Sequence, residues 1–290
     1  MNAAQLRQQL KTKLAGPELL TAPGVFDLIS VRLADSLGFD CLYMTGFGTV
    51  ASYLGEADAG LATYTDMVNR VAAFCGASHT PIICDADTGY GGLLNVAHTV
   101  RGYERAGAAG IQLEDQEFPK KCGHTPGRRV IPVGDMARKI KVAAESRDDN
   151  NLQIIARTDA RTSLGLDEAL RRAEAYLEAG ADVLFIESPE SEEELRIIGS
   201  RFDVPLLCNV VEGGRTPQLS PADLQALGFS LAIYPSAGFL AVAKALQQVY
   251  GEIKARRGTL EAGPQLYGFK DMCELMGFPA VWAFDQAHAE

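Results

Sequence analysis

The sequence predicts a closed (β/α)8 barrel, an α/β fold of TIM-barrel type. Eight short, continuous apolar runs, helical-period stretches between them, and a glycine set between helix and strand in several units together suit that architecture. A doubly wound open sheet would more often carry a Gly-rich phosphate turn after its first strand, and APGVFD is not one.

The elements follow in order. MNAAQLRQQLKTKL spaces Leu6, Leu10 and Leu14 at helical intervals among charges, which predicts an amphipathic N-terminal helix and not the apolar core of a signal peptide. Strands are expected at Leu20–Asp27, Asp40–Gly46, Pro81–Thr88, Gly110–Asp115, Leu152–Thr158, Val183–Ser188, Pro205–Val211 and Ser230–Ser236. Their cores, such as CLYM, PIICD and VLFIES, lack polar alternation, as parallel strands covered on both faces do. Helices are expected between them, including Asp27–Leu37, Val96–Ala106, Leu166–Glu178, Glu192–Arg201 and Pro221–Leu227. LADSLGFDCLYM, YERAGAAGIQLE, YLEAGADVLFIE and LQALGFSLAIYP each set a glycine where a helix C-terminus needs positive φ. After the eighth strand come a helix at Ala241–Arg257, the loop GTLEAGPQLYG and a last helical stretch to Glu290. These exceed what a barrel needs and suggest packing on a neighbouring subunit. No linker or low-complexity segment divides the chain, so one domain is expected over 1–290, with the barrel from about 18 to 258 and a helical extension from about 259 to 290.

With 47% hydrophobic and 22% charged residues the chain can bury an ordinary core, which excludes a disordered or collagenous protein. The net charge of −10 repels nucleic acid and anionic membrane surfaces, and no run approaches the ~18 apolar residues of a membrane span. The six cysteines never fall in CxxC or zinc-ligand spacing, so reduced thiols in a cytoplasm are expected.

In a parallel barrel the C-terminal strand ends face the active-site mouth. Those ends carry Tyr43, Thr45 and Gly46, then Asp85 and Asp87, Glu114 and Asp115, Arg157 and Asp159, Glu187, and Asn209 to Glu212. Asp85 and Asp87 lie two apart and share a face, with Glu114 on the next strand, so three acids crowd together. Such hard oxygen donors suit Mg2+ or Mn2+, with one aspartate coordinating directly and the others through water. Structural ion pairs with Arg or Lys are the alternative reading. KKCGHTPGRR places Lys120, Lys121, Arg128 and Arg129 on a loop without an acid, fit to attract an anionic substrate and to close over it, or simply to be solvated. Within it Cys122, beside Gly123 and His124, has the cationic setting that favours proton transfer by a thiol.

At these residues the chain resembles the isocitrate lyase / phosphoenolpyruvate mutase superfamily. The resemblance rests on LYMTGFGTVASYLGEADAGL (42–61), DADTGYGG (85–92), QLEDQ (112–116), KKCGH (120–124), ARTDA (156–160), FIESP (185–189) and NVVEGG (209–214), in the family's order and spacing over roughly residues 20–260. It implies a Mg2+-dependent barrel, usually a homotetramer built as a dimer of helix-swapped dimers, acting on small α-hydroxy or α-keto acids through a pyruvate-type enolate. By position, Asp85 and Asp87 match the metal-site aspartates, Glu114 lies behind them, and Asp58 matches the aspartate anchoring the water network. Thr45, Gly46 and Phe47 match the segment holding a substrate carboxylate. Gly123, Glu187 and Asn209 match further substrate contacts, and Arg157 the arginine gripping a substrate oxygen. The catalytic set so implied is Tyr43, Lys121, Cys122, His124 and Arg157, with Tyr43 as base if Mg2+ and Arg157 lower its pKa and Cys122 as acid.

KKCGH points to the carbon–carbon lyase branch and away from phosphonomutases, which carry a different gating motif. Methylisocitrate lyases of this superfamily hold a third carboxylate with an arginine where Leu240 stands, and have Gly where Phe47 stands. A desolvated, unpaired carboxylate loses ~10⁴–10⁵-fold in discrimination, so smaller 2-alkylmalates such as 2,3-dimethylmalate are favoured. Oxaloacetate hydrolases tend to carry Ser at the place of Pro235, and oxaloacetate decarboxylases lack the cysteine motif. A Schiff-base aldolase would need a lysine at a strand end, and no expected strand ends in one. A non-catalytic barrel is the remaining alternative, because fold alone never proves function.

Overall fold

The computed structural model describes residues 1–123, 125, 127–259 and 266–289. Eight parallel strands close into one barrel in sequence order: β1 (Leu20–Val25), β2 (Leu42–Met44), β3 (Ile82–Asp85), β4 (Gly110–Glu114), β5 (Gln153–Thr158), β6 (Val183–Ile186), β7 (Leu206–Asn209) and β8 (Leu231–Tyr234). β8 pairs back onto β1, in a register that sets Leu20 beside Leu231 and Pro23 beside Tyr234. Each expected strand is present, shortened at its ends.

The helices are α1 (Ala3–Leu14), α2 (Leu28–Ser36), α3 (Gly46–Leu54), α4 (Tyr64–Ala77), α5 (Leu93–Ala106), α6 (Val133–Ser146), α7 (Ala160–Leu164), α8 (Leu166–Glu178), α9 (Glu192–Arg201), α10 (Pro221–Ala226), α11 (Ala237–Arg256), α12 (Phe269–Leu275) and α13 (Phe278–His288). Leu6, Leu10 and Leu14 are the buried stripe of α1, as their spacing predicts. Asp27 caps α2 by accepting from Ser30 N at 2.7 Å. Gly38, Gly107, Gly180 and Gly228, the four glycines set between helix and strand, all take positive φ, between 75° and 106°.

The apolar runs hide a division of labour. Cys41, Tyr43, Ile83, Ile155, Val183, Phe185, Leu207, Leu231 and Ile233 form one buried cluster. Their neighbours in sequence, including Leu42, Ile82, Ile154, Leu184, Leu206 and Ala232, form another with the helices. Period two therefore operates inside runs that look uniformly apolar, and one set fills the barrel while the other meets the helical layer.

The chain separates into two compact units, Met1–Gly238 and Phe239–Glu290. That division falls within α11. Considered alone, the second unit consists of the rest of α11 with α12 and α13, none of which has a buried residue. No described helix is long and apolar enough to cross a membrane, and all six cysteines are free thiols.

Candidate active site

The inward set of strand residues turns polar at the C-terminal end of the barrel. Tyr43 on β2, Asp85 ending β3, Gln112 and Glu114 on β4, Arg157 on β5, Glu187 just after β6 and Asn209 ending β7 are all buried. Their convergence follows from alternation, since each continues a barrel-filling row by two residues: Ile83 to Asp85, Ile155 to Arg157, Phe185 to Glu187, Leu207 to Asn209.

Asp85 lies against the start of α3. A Cβ on Gly46 would stand 2.5 Å from Asp85 Oδ2, so only glycine lets the helix N-terminus come this close. Thr45 is the N-cap and makes no side-chain cap bond, leaving the positive end of α3 facing the acids. Asp85 Oδ1 accepts from Asp87 N at 3.0 Å and from Gln112 Nε2 at 3.4 Å. Phe47 is 40% exposed at the same turn.

Burial disfavours the charged form of these acids. It pushes Asp85 upward against the pull of Lys120 and Arg157, and pushes Glu114 well up against Arg157. Asp87, whose φ of 49° places a non-glycine residue in the left-handed region, is pushed up to about 7 by burial, against the pull of Lys120 and with Asp85 and Asp58 adding to the rise.

The loop after β4 enters this ring. Lys120 is 3% exposed, and its Nζ stands 2.5 Å from Asp58 Oδ1 and 2.6 Å from Asp87 Oδ1. A Cβ on Gly123 would lie 2.3 Å from an Arg157 terminal nitrogen and 2.9 Å from Glu187 Oε2, so the backbone beside Cys122 rests on that pair. Arg157 donates to Asp159 through Nε and Nη2, both at 2.9 Å, and lies 3.4 Å from both Glu114 Oε2 and Glu187 Oε2. Asn209 Nδ2 donates to Glu187 Oε2 at 3.0 Å. Cys122 is half-buried, whereas Lys121 is exposed and donates from Nζ to Gly127 O at 3.4 Å.

Several expectations change here. The loop cations do not wait for an anion: Lys120 binds Asp58 and Asp87, Arg128 binds Asp159, and Arg129 binds Glu117. The residues needed to see this were visible, but their partners lie far away in sequence. Lys121 points away from the ring toward Gly127. Before any cation is bound, burial pushes the Tyr43 pKa up, with Asp85 adding to the rise against the pull of Arg157, and its hydroxyl donates to Gln112 Oε1 at 2.7 Å. Asp58 and Asp87 each give an oxygen to a lysine ammonium. His124 lies outside the described residues. Leu240 belongs to the second unit and is 46% exposed.

Of the partners that complete the site, Gln112 has no role in the sequence reading, while Asp115 and Asp159 appear there only as strand-end acids. Gln112 links Tyr43 to Asp85, and its signal was a polar residue two before Glu114 in the run GIQLE. Asp115 is fully buried and accepts from Thr158 Oγ1, Asp159 N, Arg172 and Tyr176. Asp159 bridges Arg157 and Arg128.

The fit of a divalent cation turns on two features. Glu114 Oε1 is buried without a hydrogen-bond partner, and crowded acids raise each other's proton affinity, both of which a cation relieves. Among the described residues no three His, Cys, Asp or Glu side chains converge as a ligand cluster. A single direct carboxylate with waters, the habit of Mg2+, suits this arrangement better than an all-protein cage.

The chain matches the phosphoenolpyruvate phosphomutase family model over residues 10–254. It belongs to that family. It is 45% identical over 287 residues to 2,3-dimethylmalate lyase of Eubacterium barkeri, covering 99% of this chain and 98% of that one. It is 38% identical to 2-methylisocitrate lyase of Bacillus subtilis (strain 168), covering 92% of this chain and 86% of that one. Among solved structures, oxaloacetate acetylhydrolase in complex with the inhibitor 3,3-difluorooxalacetate superposes with a TM-score of 0.92 at 33% identity, over 98% of this chain and 97% of that one. A phosphonopyruvate hydrolase complex with oxalate and Mg2+ superposes at 0.89 and 30% identity over the full length of both. The family members so matched include lyases, as KKCGH implied.

Proposed function

We propose that the protein is a Mg2+-dependent carbon–carbon lyase that cleaves a small 2-hydroxy dicarboxylate, a 2-alkylmalate such as 2,3-dimethylmalate, by retro-aldol chemistry. The observation that carries this reading is full-length likeness, at 45% identity, to a 2,3-dimethylmalate lyase. The site supports it with a cationic hold for oxyanions beside a thiol-bearing loop.

The N-terminus of α3, at Gly46 and Phe47, would bind one substrate carboxylate through the backbone, with Thr45 shaping the turn. Arg157 would donate to the oxygen that gains charge as the bond breaks, while Asp159 and Glu187 hold its guanidinium in place. Glu187 and Asn209 would contact the second carboxylate end, the amide by donation and the acid through Arg157. Cys122 Sγ would deliver a proton to the carbon released, and the loop packed on Arg157 through Gly123 would exclude water from it. Tyr43, whose hydroxyl donates to Gln112, would take the proton of the substrate 2-hydroxyl once a bound cation and Arg157 offset the burial that raises its pKa. Asp85 would hold the cation directly, with Glu114 Oε1 and Asp87 receiving its waters; bound there, Mg2+ supplies electrophilic stabilisation of enolate charge.

A hydrolase acting on oxaloacetate is the second reading, favoured by the superposition on oxaloacetate acetylhydrolase. A coupled assay with Mg2+ over malate, 2-methylmalate, 2,3-dimethylmalate, methylisocitrate and oxaloacetate separates the two. The highest kcat/KM is expected for 2,3-dimethylmalate, and a preference for methylisocitrate or oxaloacetate overturns the assignment. Cys122→Ser should cut turnover by ~10²–10⁴-fold while oxalate still binds; turnover within threefold of wild type removes the thiol from the reaction.

A cytoplasmic homotetramer with exchanged C-terminal helices belongs to the same proposal. Free thiols throughout support the compartment. The oligomer is supported by Leu246, Tyr250, Phe269, Trp282 and Phe284, all exposed on α11 to α13.

A further inference from the structure

We propose that Arg128 is a positioning residue that acts through Asp159 to fix both the Cys122-bearing loop and the guanidinium of Arg157. This inference rests on the lyase reading for its kinetic consequence but not for its structural one.

The observation is a shared oxygen. Asp159 Oδ1 accepts from Arg128 Nη1 at 2.5 Å and from Arg157 Nη2 at 2.9 Å, while Asp159 Oδ2 accepts from Arg157 Nε at 2.9 Å. All three side chains are almost wholly enclosed, with 1% of the Arg128 side chain, 0% of Asp159 and 8% of Arg157 exposed. The backbone that carries this carboxylate is itself tied, since Asp159 N donates to Asp115 Oδ1 at 2.9 Å and Asp115 accepts from Arg172 and Tyr176. Arg128 makes a second bond, from Nη2 to Thr162 Oγ1 at 2.8 Å on α7, so its guanidinium spans the end of β5 and the helix that follows.

The consequence is electrostatic as well as mechanical. One carboxylate between two guanidinium groups neutralises neither fully. With Arg128 in place, Asp159 is shared, and Arg157 keeps positive charge for Glu114, Glu187 and a substrate oxyanion. With Arg128 withdrawn, Asp159 acts on Arg157 alone and draws its fork away from Glu187. Arg128 also ends the segment that Lys120 begins. Lys120 on Asp58 and Asp87, and Arg128 on Asp159, anchor the two ends between which Cys122 and Gly123 sit. Lys121 and Arg129, the other loop cations, are exposed and touch neither anchor.

Two variants of the full chain test this, Arg128→Met and Arg128→Lys. In Arg128→Met, kcat for the best diacid substrate should fall by ~10²-fold, the scale of a misplaced catalytic group, with KM raised less than threefold. Arg128→Lys should recover at least a tenth of wild-type kcat, because an ammonium still reaches Asp159 though it loses the fork to Thr162. Limited trypsin digestion, followed by mass detection of the cut after Lys121, should run at least tenfold faster in Arg128→Met than in wild type, with unchanged thermal midpoints for the barrel. Equal cleavage rates in the two proteins overturn the anchoring. Equal kcat overturns the positioning of Arg157, as does a loss of kcat that Lys does not restore. If the wild type turns over no diacid while the cleavage rates still differ, the lyase assignment has failed and the anchoring stands.

Discussion

At the N-terminal end of the strands, Arg7 donates from Nε to Ala108 O at 3.0 Å, reaches Glu104 O, and pairs with Asp149 at 3.3 Å. Glu104 accepts from Asp148 N at 2.9 Å and Asp149 N at 2.7 Å. At the C-terminal end, Asp58, Asp85, Asp87 and Glu114 face Lys120 and Arg157, and Glu114 Oε1 has no partner. Both ends bury charge, but they spend it differently. The lower cluster saturates backbone groups that would otherwise be orphaned, so its charges stabilise loops. The upper cluster sets acids against acids and keeps bonding capacity in reserve. Reserve of that kind destabilises a fold unless a ligand uses it, which is why it marks the working end.

Substitutions at the two ends should separate activity from stability. Asp85→Ala should lower kcat by ~10³-fold or more and abolish stimulation by Mg2+, since the metal supplies several kcal/mol of charge stabilisation. Because burial already disfavours the Asp85 charge, the melting midpoint should hold or rise. Metal-stimulated turnover in that variant would remove Asp85 from the cation site. Arg7→Ala should do the reverse, losing about 3–5 kcal/mol in urea unfolding while kcat and KM stay within twofold. A loss under about 1 kcal/mol would show that the lower cluster is not what holds that end together.

A smaller effect sharpens the same contrast. Asp35, in the last turn of α2, accepts from Ser78 Oγ, His79 N and Thr80 N and Oγ1 at 2.8–3.0 Å in the turn before β3. Burial pushes its carboxyl up, but the bonds from Thr80, His79 and Ser78 outweigh this and hold it below 3.8. A depressed folded value means stability that is present above 3.8 and lost as pH falls through the folded value. Asp35→Ala should therefore cost about 1–2 kcal/mol near neutral pH and progressively less as acid protonates Asp35 in the wild type. A loss that does not shrink in acid would assign the effect to packing and not to the charge.

How far the sequence could be read depended on the range of the interaction. Strand positions were legible because Leu184–Ile186 or Ile82–Cys84 must be apolar on both faces whatever surrounds them. Helix ends were legible where a local rule fixes them, as Gly107 and Gly180 fix theirs with positive φ. The polar ring was legible as a set, since strand ends in a parallel barrel share one face. Individual roles were not. Lys120 and Arg128 looked like free cations because Asp58, Asp87 and Asp159 come from other strand ends, and Gln112 looked like one polar residue in an apolar run.

The sequence by itself therefore determined the eight-stranded architecture, the location of the mouth and the residue types gathered there, because periodicity, capping and strand order are properties of short stretches of chain. Only the tertiary structure decided which carboxylate meets which cation, that the Tyr43 hydroxyl donates to Gln112, and that the Cys122 loop rests on Arg157. Those outcomes depend on burial and on charge separations of a few ångströms between residues tens of positions apart, and no local pattern encodes them.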